Sequence, residues 1–141
     1  MRFGPTLGLL GFAIVGAGSA SAQSPVTARP VMVFFDSGKD EIRREWAERL
    51  DAAVPLILRQ SGSVVTIDGH SDRAGTSFAN RRASLRRAEV VRDYLVGRGV
   101  PSAAIVVRGF GEDRPLIATA DGVREPQNRR VDVHLSNAPA R

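Results

Sequence analysis

Short apolar segments alternate in this chain with two stretches long enough for helices, and this alternation constrains the fold most. The apolar segments are strand candidates because they are rich in β-branched residues and end at glycine or polar residues. They span residues 31–35, 63–68, 105–107 and 131–135. The helix candidates span residues 40–59 and 77–96. The order β-α-β-α-β-β predicts an α/β (α+β) two-layer sandwich, with two helices packed on one small mixed sheet.

The first helix candidate carries its apolar residues on one face. They recur every three or four residues, which is the repeat of an amphipathic helix. They are Ile42, Trp46, Leu50, Val54 and Ile57. Pro55 lacks the N–H that the helix ladder needs, so we expect it to end or kink this helix near its last turn.

Composition bounds the class of protein. The 141 residues suit one domain, and 43% hydrophobic with 25% charged residues is a globular composition. The net charge of +5 comes almost entirely from arginine, and it is compatible with nucleic acid, an anionic membrane surface or an acidic polymer as partner. The chain has no cysteine, which excludes disulfides, thiolate zinc sites and a cysteine nucleophile.

The first 22 residues have the pattern of a secretory signal peptide. Arg2 provides a positive start, residues 7–18 are apolar and uncharged, and Ala20-Ser21-Ala22 reads as a cleavage site. We therefore expect export to the periplasm, in association with the cell wall or the outer membrane, and no transmembrane segment after cleavage. The alternative is a retained membrane helix, for which the apolar run is short. We assign residues 1–22 to the signal peptide, 23–30 to a flexible arm, 31–136 to the folded domain and 137–141 to a disordered tail.

Arg87 is the unusual residue of the second helix candidate. On a helical wheel it lies in the middle of the apolar side, on one stripe with Asn80 and Ser84. A buried guanidinium is costly without a partner and cannot lose its proton, so Arg87 needs an anionic partner. That partner is either a carboxylate of the protein, such as Asp68 or Asp72, or a carboxylate of a ligand.

The segment before this helix contains Asp68, His70 and Asp72 at alternate positions. These residue types can bind zinc or manganese, but the glycines on either side argue against a strand that would align them. We expect no metal site and no cofactor. A Ser71-His70-Asp72 triad is also disfavoured, because adjacent residues of an extended segment point apart.

Four motifs follow one another at regular spacing. The first is Gly69-His70-Ser71-Asp72, followed by Gly75, Asn80, Ser84, Arg87 and Ala88. The others are Val33-Phe34-Phe35-Asp36-Ser37, then Arg108-Gly109-Phe110-Gly111-Glu112 with Pro115, and Asn128-Arg129-Arg130-Val131. Together they resemble the OmpA-like C-terminal domain family, shared by outer membrane protein A, the peptidoglycan-associated lipoprotein and the flagellar stator protein MotB. The resemblance covers about residues 31–135. Ser71, where the family commonly has threonine, keeps the hydroxyl.

The resemblance implies non-covalent binding of peptidoglycan through the diaminopimelate of its stem peptide. Asp72 would accept hydrogen bonds from the ammonium group, and Arg87 would bind the carboxylate with two parallel N–H donors. Asn80 would lie beside them, Arg130 would border the same pocket, and Ser71 is a candidate for its rim. Such a domain would help to tether or organise the cell envelope, with other envelope proteins as candidate partners.

Three other functions remain as alternatives. An enzyme such as a periplasmic hydrolase needs a nucleophile beside a base or a complete metal shell, and the sequence offers neither. Nucleic-acid binding is disfavoured by export and because Trp46 and Tyr94 lie on core faces of their helices. The domain could also have kept the fold as an envelope interaction module without binding the ligand.

Overall fold

A computed structural model of the protein describes residues 29–137. Its strands are β1 (Val31–Phe34), β2 (Val64–Gly69), β3 (Ile105–Gly109) and β4 (Arg130–Ser136). Its helices are α1 (Arg44–Arg59) and α2 (Ser77–Gly97), and two short 3-10 turns span Ser102–Ala104 and Pro126–Asn128. The predicted signal peptide, most of the predicted arm and most of the predicted tail lie outside the described residues.

The four strands form one mixed sheet in the order β1-β4-β2-β3. Strand β2 pairs parallel with β3 and antiparallel with β4, and β4 pairs antiparallel with β1. The two helices pack on this sheet, and the predicted two-layer sandwich is therefore confirmed.

Alternation along the strands separates an apolar face from a charged face. Val65 and Ile67 of β2 and Val131 and Val133 of β4 contribute to the core beneath the helices. The residues between them point to the opposite face, as the two-residue period of a strand requires. That open face carries most of the domain's buried ion pairs.

Helix α1 ends at the predicted residue but begins later than predicted, and Pro55 does not end it. It begins at Arg44 rather than at residue 40, and tertiary bonds explain the difference: Arg86 donates to the Asp40 carboxylate, and Arg87 to the Lys39 carbonyl. These contacts keep the preceding loop non-helical. The helix also continues beyond Pro55 to Arg59, because the burial of Val54 and Ile57 outweighs the hydrogen bond that the proline removes.

Helix α2 lies very close to the sheet at two glycines. A Cβ atom on Gly69 of β2 would overlap the Ser84 carbonyl, and one on Gly109 of β3 would come within 3.0 Å of the Leu85 backbone. Only glycine permits this approach. It brings the middle of α2 against the end of the sheet at which the β2–α2 loop begins.

Candidate functional site

Asp72 lies in the loop between β2 and α2, where it is only 6% exposed. Its Oδ1 accepts a hydrogen bond from the backbone N–H of Ala74 at 3.2 Å. Its Oδ2 accepts from the backbone N–H of Glu125 at 3.2 Å and from Nη1 of Arg129 at 2.9 Å. Three donors from two different loops therefore fix the position of this carboxylate.

Arg87 is 4% exposed and is held mainly by backbone carbonyls. Its Nε donates to the Lys39 carbonyl at 3.1 Å and its Nη2 to the Asp36 carbonyl at 3.4 Å, while its guanidinium carbon lies 5.6 Å from the centre of the Phe35 ring. No carboxylate of residues 29–137 forms an ion pair with it. Of the two alternatives for its partner, the structure does not show the ion pair with Asp68 or Asp72, because Asp68 makes a bidentate pair with Arg108 and Asp72 pairs with Arg129.

Two carboxylates and two further guanidinium groups act on the charge of Arg87. Burial lowers the pKa of its guanidinium below the ordinary value, and the nearby carboxylates of Asp40 and Asp72 oppose that effect. The positive charges of Arg129 and Arg86 lower the pKa further. Arginine stays protonated in proteins, so the practical result is a buried cation with incomplete compensation. Arg87, Asp72 and Arg129 thus form one electrostatic group.

Asn80 opens onto the same region from the first turn of α2. Its Nδ2 donates to Oε2 of Glu112 at 3.0 Å, and Ser77 donates its hydroxyl to Oε1 of the same carboxylate at 2.7 Å. These two hydrogen bonds lower the pKa of Glu112. Sequence analysis did not select Glu112, although it lies in one of the four motifs. Its carboxylate lies at the positive end of the helix dipole.

Ser71 supports the loop rather than forming an exposed rim. It is buried, its hydroxyl donates to the Asp72 carbonyl at 3.0 Å, and its N–H donates to the Gly111 carbonyl at 2.8 Å. Ser84 makes a similar contact from α2, because its hydroxyl accepts from the N–H of Gly111 at 2.9 Å. Both hydroxyls join neighbouring elements behind Asp72.

The structure places Arg129, rather than Arg130, beside Asp72. Arg129 precedes β4 and donates Nε to the Phe35 carbonyl as well as Nη1 to Asp72. Arg130 is the first residue of β4 and is directed to the open face, where it pairs with Asp132 at 3.2 Å. Adjacent residues at the start of a strand point to opposite sides, so Arg129, and not Arg130, occupies the position expected beside Asp72.

The three alternate residues of the metal alternative separate in the structure. Asp68 pairs with Arg108, the His70 ring lies 3.3 Å from the Asp132 carboxylate, and Asp72 turns to the other side of the sheet. Within residues 29–137 no group of three or more metal-binding side chains converges. Over the same range, neither helix is long and apolar enough to cross a bilayer.

Comparison with known proteins gives a consistent result. A sequence model of the OmpA family matches residues 34–129. A peptidoglycan-associated lipoprotein of Rhizobium meliloti is 34% identical over 106 residues, which are 75% of this chain and 60% of that protein. An outer membrane protein of Gluconacetobacter diazotrophicus is 33% identical over 119 residues, but the match spans 79% of this chain and only 31% of that protein. This chain thus spans less than two thirds of the length of either relative.

A solved structure shares the fold. The crystal structure of the peptidoglycan-associated lipoprotein from Burkholderia pseudomallei superposes with a TM-score of 0.69 at 27% identity. The superposition covers 74% of this chain and 88% of that one.

Proposed function

The chain belongs to the OmpA family, and on that premise we propose that it binds peptidoglycan non-covalently through the diaminopimelate of the stem peptide. We further propose that it acts as an exported protein that helps to tether or organise the cell envelope. The binding is reversible and involves no catalytic step. The names of its relatives support peptidoglycan as the ligand. The chemistry of the site supports diaminopimelate as the group within it that is bound.

The observation that carries this proposal is the convergence of the buried Asp72 carboxylate with the buried guanidinium of Arg87 and the largely buried guanidinium of Arg129. Asp72, Arg87 and Arg129 come from three different segments of the chain, and Arg87 has no carboxylate partner among the described residues. A buried cation without full compensation is costly, and a ligand carboxylate would remove that cost. The site therefore favours a ligand with its own negative charge.

Arg87 retains the donors needed for a carboxylate. A guanidinium has five N–H donors, and the two hydrogen bonds to Lys39 and Asp36 use one on Nε and one on Nη2. Three donors remain, two on Nη1 and one on Nη2. The end of the guanidinium can thus form two parallel hydrogen bonds to a ligand carboxylate while its side remains bound to the loop.

Asp72 and Asn80 supply acceptors for an ammonium group. A carboxylate has about four lone-pair sites, of which the three donors to Asp72 leave one, on Oδ1. The Asn80 side chain gives its N–H group to Glu112, which leaves its Oδ1 as an acceptor. An amino acid with an ammonium and a carboxylate on one carbon matches this set, and diaminopimelate in an uncrosslinked stem peptide offers that combination.

Co-sedimentation with purified sacculi tests the proposal. We expect Asp72→Asn to weaken binding about 30-fold or more, because an unpaired ligand charge costs about 2–5 kcal/mol. Arg87→Lys keeps the charge but loses the planar pair of donors, and we expect about a tenfold loss. Circular dichroism and thermal melting establish that each variant is folded.

The matched control is Arg82→Lys, an exposed arginine of the same helix whose guanidinium carbon lies 5.7 Å from the centre of the Phe78 ring. It should bind sacculi as the wild type does. If Asp72→Asn and Arg87→Lys also bind as the wild type does, the pocket is not the binding site. A folded domain that shows no sedimentation at all would instead support an interaction module without this ligand.

A further inference from the structure

Strand β1 is an edge of the sheet with an open row of backbone groups. The N–H of Phe35 donates to the Arg129 carbonyl, and Val33 lies opposite Val131 in the antiparallel register with β4. Because the bonding direction alternates along a strand, the N–H and C=O groups of Met32 and Phe34 point away from β4. An open edge of this kind can pair with another extended chain.

An apolar groove runs beside this edge. Its volume is about 620 Å³, and we call it the β1–α1 groove. The strand side is formed by Val31, Met32 and Phe34. The helix side is formed by Ala52, Ala53 and Leu56, of which Leu56 is 56% exposed. The groove thus combines unpaired backbone groups with an apolar wall, the two features by which an added strand is recognised.

An arginine lies at each end of the β1–α1 groove. Arg29 precedes the first residue of β1, and Arg49 lies 4.9 Å from the centre of the Trp46 ring, which packs on Phe34 at the other end of the strand. Neither arginine forms an ion pair with any of residues 29–137, whereas ten other arginines in that range do. The groove is therefore apolar in the middle and positively charged at both ends.

We propose that the β1–α1 groove binds an extended, acidic segment of a partner protein. The segment adds as a fifth strand beside β1, and its backbone bonds to Met32 and Phe34. Its alternate apolar side chains pack against Ala52 and Leu56, and a carboxylate near each end pairs with Arg29 or Arg49. This surface is formed by other residues than Asp72 and Arg87, so partner binding does not depend on the proposed peptidoglycan site.

Charge complementarity favours this occupant over the alternatives. In a dimer formed by two β1 edges, the arginines of both copies would come together, and like charges oppose that pairing. The chain's own residues 23–28 contain no carboxylate. An anionic lipid could satisfy the arginines but would leave the backbone groups of Met32 and Phe34 unused.

The experiment uses the chain from residue 23 to residue 141 and a seven-residue peptide of alternating valine and threonine with glutamate at both ends. Trp46 is the single tryptophan, so its fluorescence reports binding. Two matched peptides serve as controls, one with lysine at both ends and one N-methylated at alternate backbone positions. We expect each to bind at least about tenfold more weakly, since the first reverses the charges and the second removes the strand pairing.

A proline variant tests the strand edge directly. Met32→Pro removes an outward N–H without breaking the ladder with β4, and proline is tolerated at such an edge position. We expect Met32→Pro to weaken binding of the acidic peptide at least about tenfold. Met32→Leu and the exposed helix variant Arg82→Glu should bind this peptide as the wild type does. In the wild type, hydrogen exchange of the Met32 and Phe34 amides should slow when the peptide is added.

Four results with the peptides or with vesicles would overturn the proposal, and a fifth concerns self-association. The four are equal binding of the acidic and lysine peptides, equal binding of the N-methylated peptide, unchanged amide exchange at β1, and anionic vesicles that occupy the groove in place of the peptide. A dimer in sedimentation that Met32→Pro dissociates would overturn it in favour of self-pairing. If Met32→Pro does not fold, the peptide comparisons decide alone.

Discussion

The buried charged residues divide into two groups that lie on opposite sides of the sheet. Arg87, Asp72 and Arg129 lie at the proposed binding site. On the open face, Asp132 contacts both His70, at 3.3 Å, and Arg130, at 3.2 Å. Buried ion pairs are costly to break because one charge is left without a partner. The second group is therefore a stability element rather than a ligand site.

The charge of Asp132 should make the free energy of unfolding depend on pH in the acid range. Burial by itself raises the pKa of this carboxyl group, but the hydrogen bond from His70 and the charge of Arg130 together hold the pKa below its ordinary value. A lowered folded-state pKa stabilises the protein above the unfolded-state value of about 3.9, and this contribution is lost as the pH falls further. We expect the difference in unfolding free energy between wild type and Asp132→Asn to shrink between pH 7 and pH 3 in urea titrations.

The control for this measurement is Asp113→Asn. Asp113 pairs with Arg81 on the surface, where an ion pair contributes about 0–1 kcal/mol, so its effect should be small throughout. If Asp132→Asn lowered the free energy of unfolding equally at pH 7 and pH 3, the charge of Asp132 would not contribute to stability.

At the scale of elements, the approach of α2 to the sheet determines where Arg87 and Asn80 lie. Gly69 and Gly109 leave the space for the helix backbone, and Ser84 bonds to the loop that follows β3. On the other side, the loop before α1 follows the contour of α2 because Arg86 and Arg87 bind it. A shift of α2 would thus move both Arg87, the proposed donor to the ligand carboxylate, and Asn80, the proposed acceptor for the ligand ammonium group.

Gly69→Ala should destabilise the domain by about 1–3 kcal/mol or more, since its methyl group would overlap the Ser84 carbonyl and separate α2 from β2. The matched control is Gly97→Ala at the end of the same helix, where a Cβ atom meets nothing within 4 Å. It should stabilise the protein by up to about 1 kcal/mol. Urea denaturation measures both, and equal midpoints for Gly69→Ala and wild type would contradict the close approach.

The elements could be predicted from sequence because their signals are local. The spacing of apolar residues, every two in strands and every three or four in helices, predicted the order of elements together with the family resemblance. Most predicted bounds agree with the structure within a few residues. The pairing of side chains could not be predicted, since it depends on register between distant strands. Arg108 meets Asp68 across the parallel β2–β3 pair, and a one-residue difference at the start of β4 decided between Arg129 and Arg130.

In the whole molecule, three loops meet at one end of the sheet, where the proposed site lies. The N–H of His70 donates to the Arg130 carbonyl, the N–H of Gly122 to the Arg73 carbonyl, and Arg87 reaches the loop before α1. The strands and helices hold these loops, which is the usual division between scaffold and binding residues. The β1–α1 groove belongs to other elements, so the proposed partner segment would not compete with the proposed peptidoglycan ligand.

The most direct test of the central claim is an NMR titration of the protein with an uncrosslinked stem peptide that contains diaminopimelate. We expect saturable shifts of the Arg87 side-chain Nε–H and of the Asn80 side-chain amide. The same peptide with lysine in place of diaminopimelate lacks the second carboxylate, and it should bind at least about tenfold more weakly. Unchanged Arg87 and Asn80 resonances at saturation, or equal affinity for the two peptides, would contradict the account.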